Sequence, residues 1–306
     1  MEQSKAKRAK KPVMIMDGGM GRELERMGAP FRQPEWSALA LMQAPQSVSQ
    51  AHDNFIKAGA EIIITNAYAV VPFHVGQAVF DTQGRDLIRI AATRARDCAD
   101  KAPHKVTVAA SIPPLFGSYN PDAFCEDKAL AILIPLIEAQ ADHIDIWLME
   151  TISSLKEGEF VARELAKTGK PLWASFTLTD REDKNDPPTI RSENTVENAV
   201  KATLTWANIE GILFNCSRPE EMADALSIAA TLIPDTIHLG AYANNFKKSM
   251  KKGHLANEQI TPLNDELTPQ DYYDYAVEWR TLGSNIIGGC CGIGPHYIQY
   301  LKENLS

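Results

Sequence analysis

Asn285-Ile286-Ile287-Gly288-Gly289-Cys290-Cys291-Gly292 joins a short apolar run to a glycine turn that carries two adjacent cysteines. The apolar run reads as a buried strand, and the glycines permit a sharp turn that aims both sulfurs at one point. Neighbouring cysteines bridge each other only through strained geometry, so a structural disulfide explains the pair poorly. A second run of the same form, residues 211–214, ends in Asn215-Cys216-Ser217. Three thiolates with no evident fourth partner suggest a zinc site with one open position; His296 is an alternative fourth ligand.

Six more apolar runs, at residues 13–16, 61–65, 105–110, 145–149, 172–178 and 237–241, bring the number of candidate strands to eight. Continuous apolar character suits a parallel sheet covered on both faces. Helical patterns lie between the runs. Val48, Ala51, Phe55 and Ile56 form one stripe that stops at Gly59, and Leu87, Ile90, Ala91, Ala95 and Cys98 form another. Residues 129–141 form a third, which Pro135 should kink or break. Leu155, Phe160, Val161 and Leu165 lead to Gly169, and Pro219 and Pro295 each sit where a helix starts. The fold class predicted is α/β, a single (β/α)8 TIM-type barrel. It spans residues 12–306, behind a basic tail at residues 1–11 that reads as disordered. Insertions at residues 180–189 and 244–269 fall on the C-terminal face as lids, or, equally for the first, as plain surface loops.

In such a barrel the residues that follow each strand face the active site. Those positions are Asp17-Gly18-Gly19, Asn66, Ser111, Glu150-Thr151, Asn215-Cys216, Asn244 and Cys290-Cys291. Asp17 suits a cationic group or a turn cap. Gly18 and Gly19 allow close approach of backbone to ligand. Glu150 needs a buried partner, either a substrate ammonium or a structural arginine or lysine. Tyr68, beside Asn66, lines the pocket or packs. Cys98 belongs to a core stripe, Cys125 has no assigned role, and the histidines read as surface or satisfied core groups.

The chain has 306 residues, 44% of them hydrophobic and 23% charged, with a net charge of -8. That balance fits a soluble globular protein and argues against nucleic acid as a partner. No run is long enough to span a membrane. Five cysteines and no secretory leader point to a reducing, cytoplasmic setting. A homo-oligomer is left open.

Several segments carry a resemblance to the homocysteine S-methyltransferase family. They are residues 16–24 (Met-Asp-Gly-Gly-Met-Gly-Arg-Glu-Leu), Glu35-Trp36-Ser37-Ala38, residues 58–66, Leu148-Met149-Glu150-Thr151, Phe214-Asn215-Cys216-Ser217 and Gly288-Gly289-Cys290-Cys291-Gly292. They run in family order over almost the whole chain. The resemblance implies a TIM-type barrel with one Zn2+ ion held by Cys216, Cys290 and Cys291. It implies homocysteine sulfur at the open metal position, with its amino acid group held by Asp17 and Glu150. Gly18, Gly19, Asn66 and Tyr68 line that pocket. The small-molecule partners implied are homocysteine and an onium methyl donor. Residues 35–38 are similar to the branch that uses S-methylmethionine, with S-adenosylmethionine as a poorer donor and betaine as the runner-up. Residues 240–245 and 179–193 depart from the family pattern, which leaves the donor open, and an acceptor such as selenocysteine or another small thiol as well. Two further readings are a homocysteine-activating subunit served by a separate corrinoid methyl carrier, and a non-enzymatic zinc-storage or redox-switch protein.

Overall fold

The apolar runs become eight short strands: β1 (Met14–Ile15), β2 (Ile62–Ile64), β3 (Thr107–Ile112), β4 (Ile146–Ile152), β5 (Leu172–Phe176), β6 (Ile209–Asn215), β7 (His238–Ala243) and β8 (Ile286–Gly289). The structure, a computed structural model, describes residues 11–192, 194–247 and 260–305. Residues 1–10 of the expected tail and residues 248–259 of the second insertion lie outside the described residues. All neighbouring strands pair in parallel, in the order β1-β8-β7-β6-β5-β4-β3-β2. The seam between β1 and β2 is closed by a single parallel bridge, Met16 to Ile62. There the Asp17 N–H donates to the Ile62 carbonyl at 2.9 Å and the Glu61 N–H to the Ile15 carbonyl at 2.7 Å. The molecule is thus a single, nearly closed (β/α)8 barrel.

One long helix follows each strand: α1 (Pro45–Lys57), α2 (Arg85–Asp100), α3 (Glu126–Gln140), α4 (Leu155–Ala166), α5 (Val196–Thr203), α6 (Pro219–Leu232), α7 (Pro269–Thr281) and α8 (Pro295–Asn304). Two short helices, Met20–Arg26 and Ala38–Gln43, precede α1. Pro219, Pro269 and Pro295 each open a helix, where the missing N–H costs nothing. Gly59 and Gly169, just beyond α1 and α4, have φ of +98° and +74°, the left-handed conformation that ends a helix. Pro135 does not break α3, which runs through it. Ile132, Leu133, Leu136 and Ala139 are buried on that helix, and their packing outweighs the one lost bond.

The core has two layers. Met16, Ile62, Leu148, Trp173, Leu213, Tyr242 and Ile286 fill the barrel, and a larger cluster lies between sheet and helices. His52, on α1, is fully buried in the outer region, and neither ring nitrogen has a partner. Burial lowers its pKa to about 4. A folded value below the unfolded one gives stability that is complete above the unfolded value of about 6.5 and is lost as pH falls towards 4. Replacing His52 with leucine should remove about 2 kcal/mol of the stability difference between pH 7 and pH 5, read as urea midpoints. Glu157, raised to about 7 by burial, acts in the opposite direction, so the test compares variant with wild type at each pH. An unchanged pH dependence would disprove the His52 contribution.

Candidate active site

Cys216 follows β6 directly, and its backbone takes φ of +50°. A non-glycine residue in that region costs about 1–2 kcal/mol, so the fold holds it there against local preference. Cys290 and Cys291 follow β8 on the same face of the barrel. The three sulfurs lie within 4.8 Å of one another, a group that can hold a metal ion. Tetrahedral zinc with Zn–S bonds of about 2.3 Å needs sulfurs about 3.8 Å apart, so the donor type and spacing both fit. Among the described residues the cluster contains these three alone, and His296 on α8 is not part of it. Cys216 is held below the usual thiol range by hydrogen bonds from Cys290 and Cys291, with a further one from Tyr119. Cys290 and Cys291 are pushed up, first by sharing hydrogen bonds with Cys216. Three thiolates this close cannot all ionise without a cation between them.

The Cys290–Cys291 turn lies against the turn after β1. A methyl on Gly19 would come within 2.6 Å of the Cys290 carbonyl oxygen, and one on Gly18 within 2.1 Å of the Ile293 carbonyl oxygen. The glycine pair therefore admits the cysteine turn as well as lining the pocket. Beside it, one Asp17 oxygen accepts from the Ile64 N–H at 2.8 Å, and the other is buried without a partner. Burial raises the Asp17 pKa well above the usual range, and Glu150 adds to this.

The sequence reading ends the fourth strand at residue 149, but β4 runs on to Ile152. Its register against β5 shifts between Met149 and Ile152, and Thr151 has φ of +61°. This bulge brings Glu150 to the pocket although it lies within the strand. Asn215 fixes the bulge: its Oδ1 accepts from the Thr151 N–H at 2.9 Å and its Nδ2 donates to Thr151 Oγ1 at 2.9 Å. Ser111 Oγ donates to Glu150 Oε1. Burial pushes Glu150 up to about 7, against that hydrogen bond, and the charge of Cys216 adds to the rise.

These groups surround a cavity of about 960 Å3, counting its open mouth. Asp17, Gly18, Gly19, Asn66, Tyr68, Glu150, Cys216, Cys290 and Cys291 all line it, so all nine expected site residues meet there. Asn66 is anchored through Nδ2 to the Ser37 carbonyl at 3.2 Å, and Tyr68 through its hydroxyl to Ser118 Oγ at 2.5 Å. Asn215 and Asn244 serve the scaffold instead, Asn244 Oδ1 accepting from the Phe246 N–H. Cys98 packs in the outer core, its thiol pushed up to about 12 by burial.

Sequence reasoning assigned no position in the site to several residues found here, although Trp36 lies in the segment similar to the S-methylmethionine branch. The Tyr119 hydroxyl lies 2.9 Å from Cys216 Sγ. Burial raises the Tyr119 pKa well above its usual value, so the phenol stays protonated and donates to the thiolate. The Arg191 guanidinium sits 4.6 Å over its ring and pairs with Asp180; the two residues flank the first insertion. Trp36 and His74 also line the cavity; His74 Nδ1 donates to the Pro34 carbonyl at 2.9 Å. Residues 117–121, Gly-Ser-Tyr-Asn-Pro, carry a turn signal that marks an ordered loop near Tyr119.

Comparison with known proteins agrees with this architecture. Residues 14–305 match the family described as Homocysteine S-methyltransferase. Homocysteine S-methyltransferase from Escherichia coli is 27% identical over 312 residues, covering 96% of this chain and 95% of its own. Homocysteine S-methyltransferase 1 from Brassica oleracea is 25% identical over 320 residues, covering 95% and 93%. The crystal structure of the E. coli homocysteine methyltransferase MmuM in its metallated form superposes with a TM-score of 0.77 at 26% identity, covering 96% of each chain. Among the described residues no helix is long and apolar enough to cross a membrane.

Proposed function

The chain belongs to the homocysteine S-methyltransferase family, and from that premise we propose that it moves a methyl group from a sulfonium donor, S-methylmethionine in the first place, to the sulfur of homocysteine. The observation that carries this reading is one cavity lined by three converging cysteine sulfurs and two buried carboxylates. Zinc held by Cys216, Cys290 and Cys291 would supply a Lewis acid that keeps the acceptor thiol deprotonated near neutral pH. The metallated state named for MmuM supports that assignment.

Asp17 and Glu150 would hold the acceptor's ammonium group. Both carboxylates are raised by burial, and an incoming cation relieves that cost for each. Tyr119 would hold the Cys216 sulfur through its hydrogen bond. Trp36, Tyr68, Tyr119 and Tyr242 give the cavity the aromatic faces that a sulfonium cation prefers over water. In the transfer, the donor S–CH3 bond breaks and its electron pair returns to a neutral thioether. The new S–CH3 bond forms on the acceptor sulfur, and the thiol proton leaves to solvent. A neutral leaving group needs no general acid, so the pocket's work is alignment and exclusion of water.

The test is methionine formation by the zinc-loaded protein from homocysteine, with S-methylmethionine, S-adenosylmethionine and betaine supplied separately. Turnover should be fastest with S-methylmethionine. A betaine preference would replace the donor assignment. No methionine from any free donor would sink the stand-alone transferase and favour a corrinoid-bound methyl group. Glu150→Gln should raise the homocysteine KM by roughly 10- to 100-fold, the range for losing a charged hydrogen bond, with bound metal unchanged. An unaltered KM would make Glu150 structural.

A further inference from the structure

Arg22 is the one permanently cationic side chain among the described residues that line the cavity. It sits on the short helix Met20–Arg26 that follows the β1 turn, with 13% of its side chain exposed. Its Nη1 pairs with Glu25 at 2.6 Å, and the Glu25 side chain is 44% exposed. Its Nη2 donates to the Thr261 carbonyl, from the segment before α7. Its Nε–H is buried without a partner. A guanidinium has five N–H donors, so these two bonds leave the Nε–H and part of each Nη unused.

We propose that Arg22 is the specificity-determining residue that reads the carboxylate of the methyl donor, so that the pocket selects zwitterionic onium donors over onium cations with no carboxylate. The inference rests on the transferase reading above and adds the chemistry of its second substrate. The acceptor's anchors are deep: Asp17 is 2%, Glu150 7% and Cys216 5% exposed. In-line displacement places the donor sulfur on the far side of the moving methyl from the acceptor sulfur. The donor chain therefore runs away from the acceptor's anchors through the cavity, where Arg22, more exposed than they are, can meet its carboxylate. A carboxylate brought there without a cation would lose its hydration and gain little. The guanidinium edge can return two parallel hydrogen bonds.

The experiment measures transfer from S-methylmethionine and from the same sulfonium lacking its carboxylate, aminopropyl-dimethylsulfonium. It uses the zinc-loaded wild type, Arg22→Met and Arg22→Lys. Arg22→Met should raise the S-methylmethionine KM by roughly 10- to 100-fold, while Arg22→Lys recovers part of the loss. With the carboxylate-free donor the wild type should already show the high KM, and Arg22→Met should change it less than about twofold. Equal losses with both donors would overturn the inference, since Arg22 would then only brace Thr261. A loss that vanishes when homocysteine is replaced by aminopropanethiol would also overturn it, by assigning Arg22 to the acceptor. Should Arg22→Met fail to fold, Arg22→Lys and Arg22→Gln carry the same donor comparison. Wild-type protein that transfers from no onium donor would remove the transferase reading and this inference together; wild-type transfer without Arg22-dependent donor selection removes the inference alone.

Discussion

Cys216→Ser should abolish methyl transfer and strip the cluster of metal while the barrel stays folded. Zinc favours thiolate, and a serine hydroxyl at neutral pH is neither charged nor soft. Two cysteines would remain, both from one turn, and the donor from β6 would be lost. Loss of an outer-shell partner typically costs roughly 10- to 100-fold in metal affinity, so loss of a direct ligand should exceed that. The fold should tolerate the change because serine is close in size and the backbone at φ of +50° is held by its neighbours. Among these, the Cys216 N–H donates to the Tyr242 carbonyl at 3.3 Å. Metal content by mass spectrometry, competition with a chromophoric chelator and far-ultraviolet circular dichroism would be read together. Zinc retained at wild-type affinity would show that Cys216 is not a ligand.

A single methyl group added at Gly19 should damage the site almost as severely, by a different route. Its φ of -72° is ordinary, so conformational freedom is not the reason for glycine here. Space is the reason. The added carbon would meet the Cys290 carbonyl oxygen at 2.6 Å, the Gly292 nitrogen at 3.0 Å and the Cys291 Cα at 3.1 Å. All three are backbone-chain atoms, so no flexible side chain can give way. Gly19→Ala should therefore cost about 1–3 kcal/mol of stability, as overpacked positions do. It should also push the Cys290–Cys291 turn away from Cys216 and weaken metal binding. Chemical denaturation midpoints and chelator competition test the two effects separately. Wild-type values for both would mean that the two turns are not in close contact in solution.

The barrel was legible because its eight strands are continuous apolar runs, each ended by a polar, glycine or cysteine position. Seven of the eight runs overlap their strands with shifts of only a residue or two at the ends, and the eighth, residues 145–149, holds the first part of β4. Its extension could not be read, because the bulge at Glu150 depends on Asn215 from β6, a contact far away in sequence. The cysteines were legible for the same reason as the strands: each lies at the end of one. Tyr119 was not, since it lies beyond β3 in a loop with no periodic pattern and meets Cys216 only in three dimensions. Gly18 and Gly19 were legible as a place of close approach. That the approaching group includes the protein's own cysteine turn emerges only when β1 and β8 are paired. The first insertion is exposed over residues 182–187 but tied down at both ends. It folds back through bridges from Leu178 to Ile190 and from Thr189 to Thr195, and Arg181 ties it to Glu221 and Asp224 on α6.

The contact between the β1 and β8 turns also dictates when the site can come into being. During synthesis the glycines emerge with the first strand and the paired cysteines with the last. Until β8 docks between β7 and β1, Cys216 lacks the two cysteines that complete the cluster. A metal bound by all three cysteines would therefore be captured at the end of folding, after the contact of longest sequence separation has formed. A nascent or truncated barrel cannot assemble the three-cysteine cluster, so a metal held there would certify that the ring has closed.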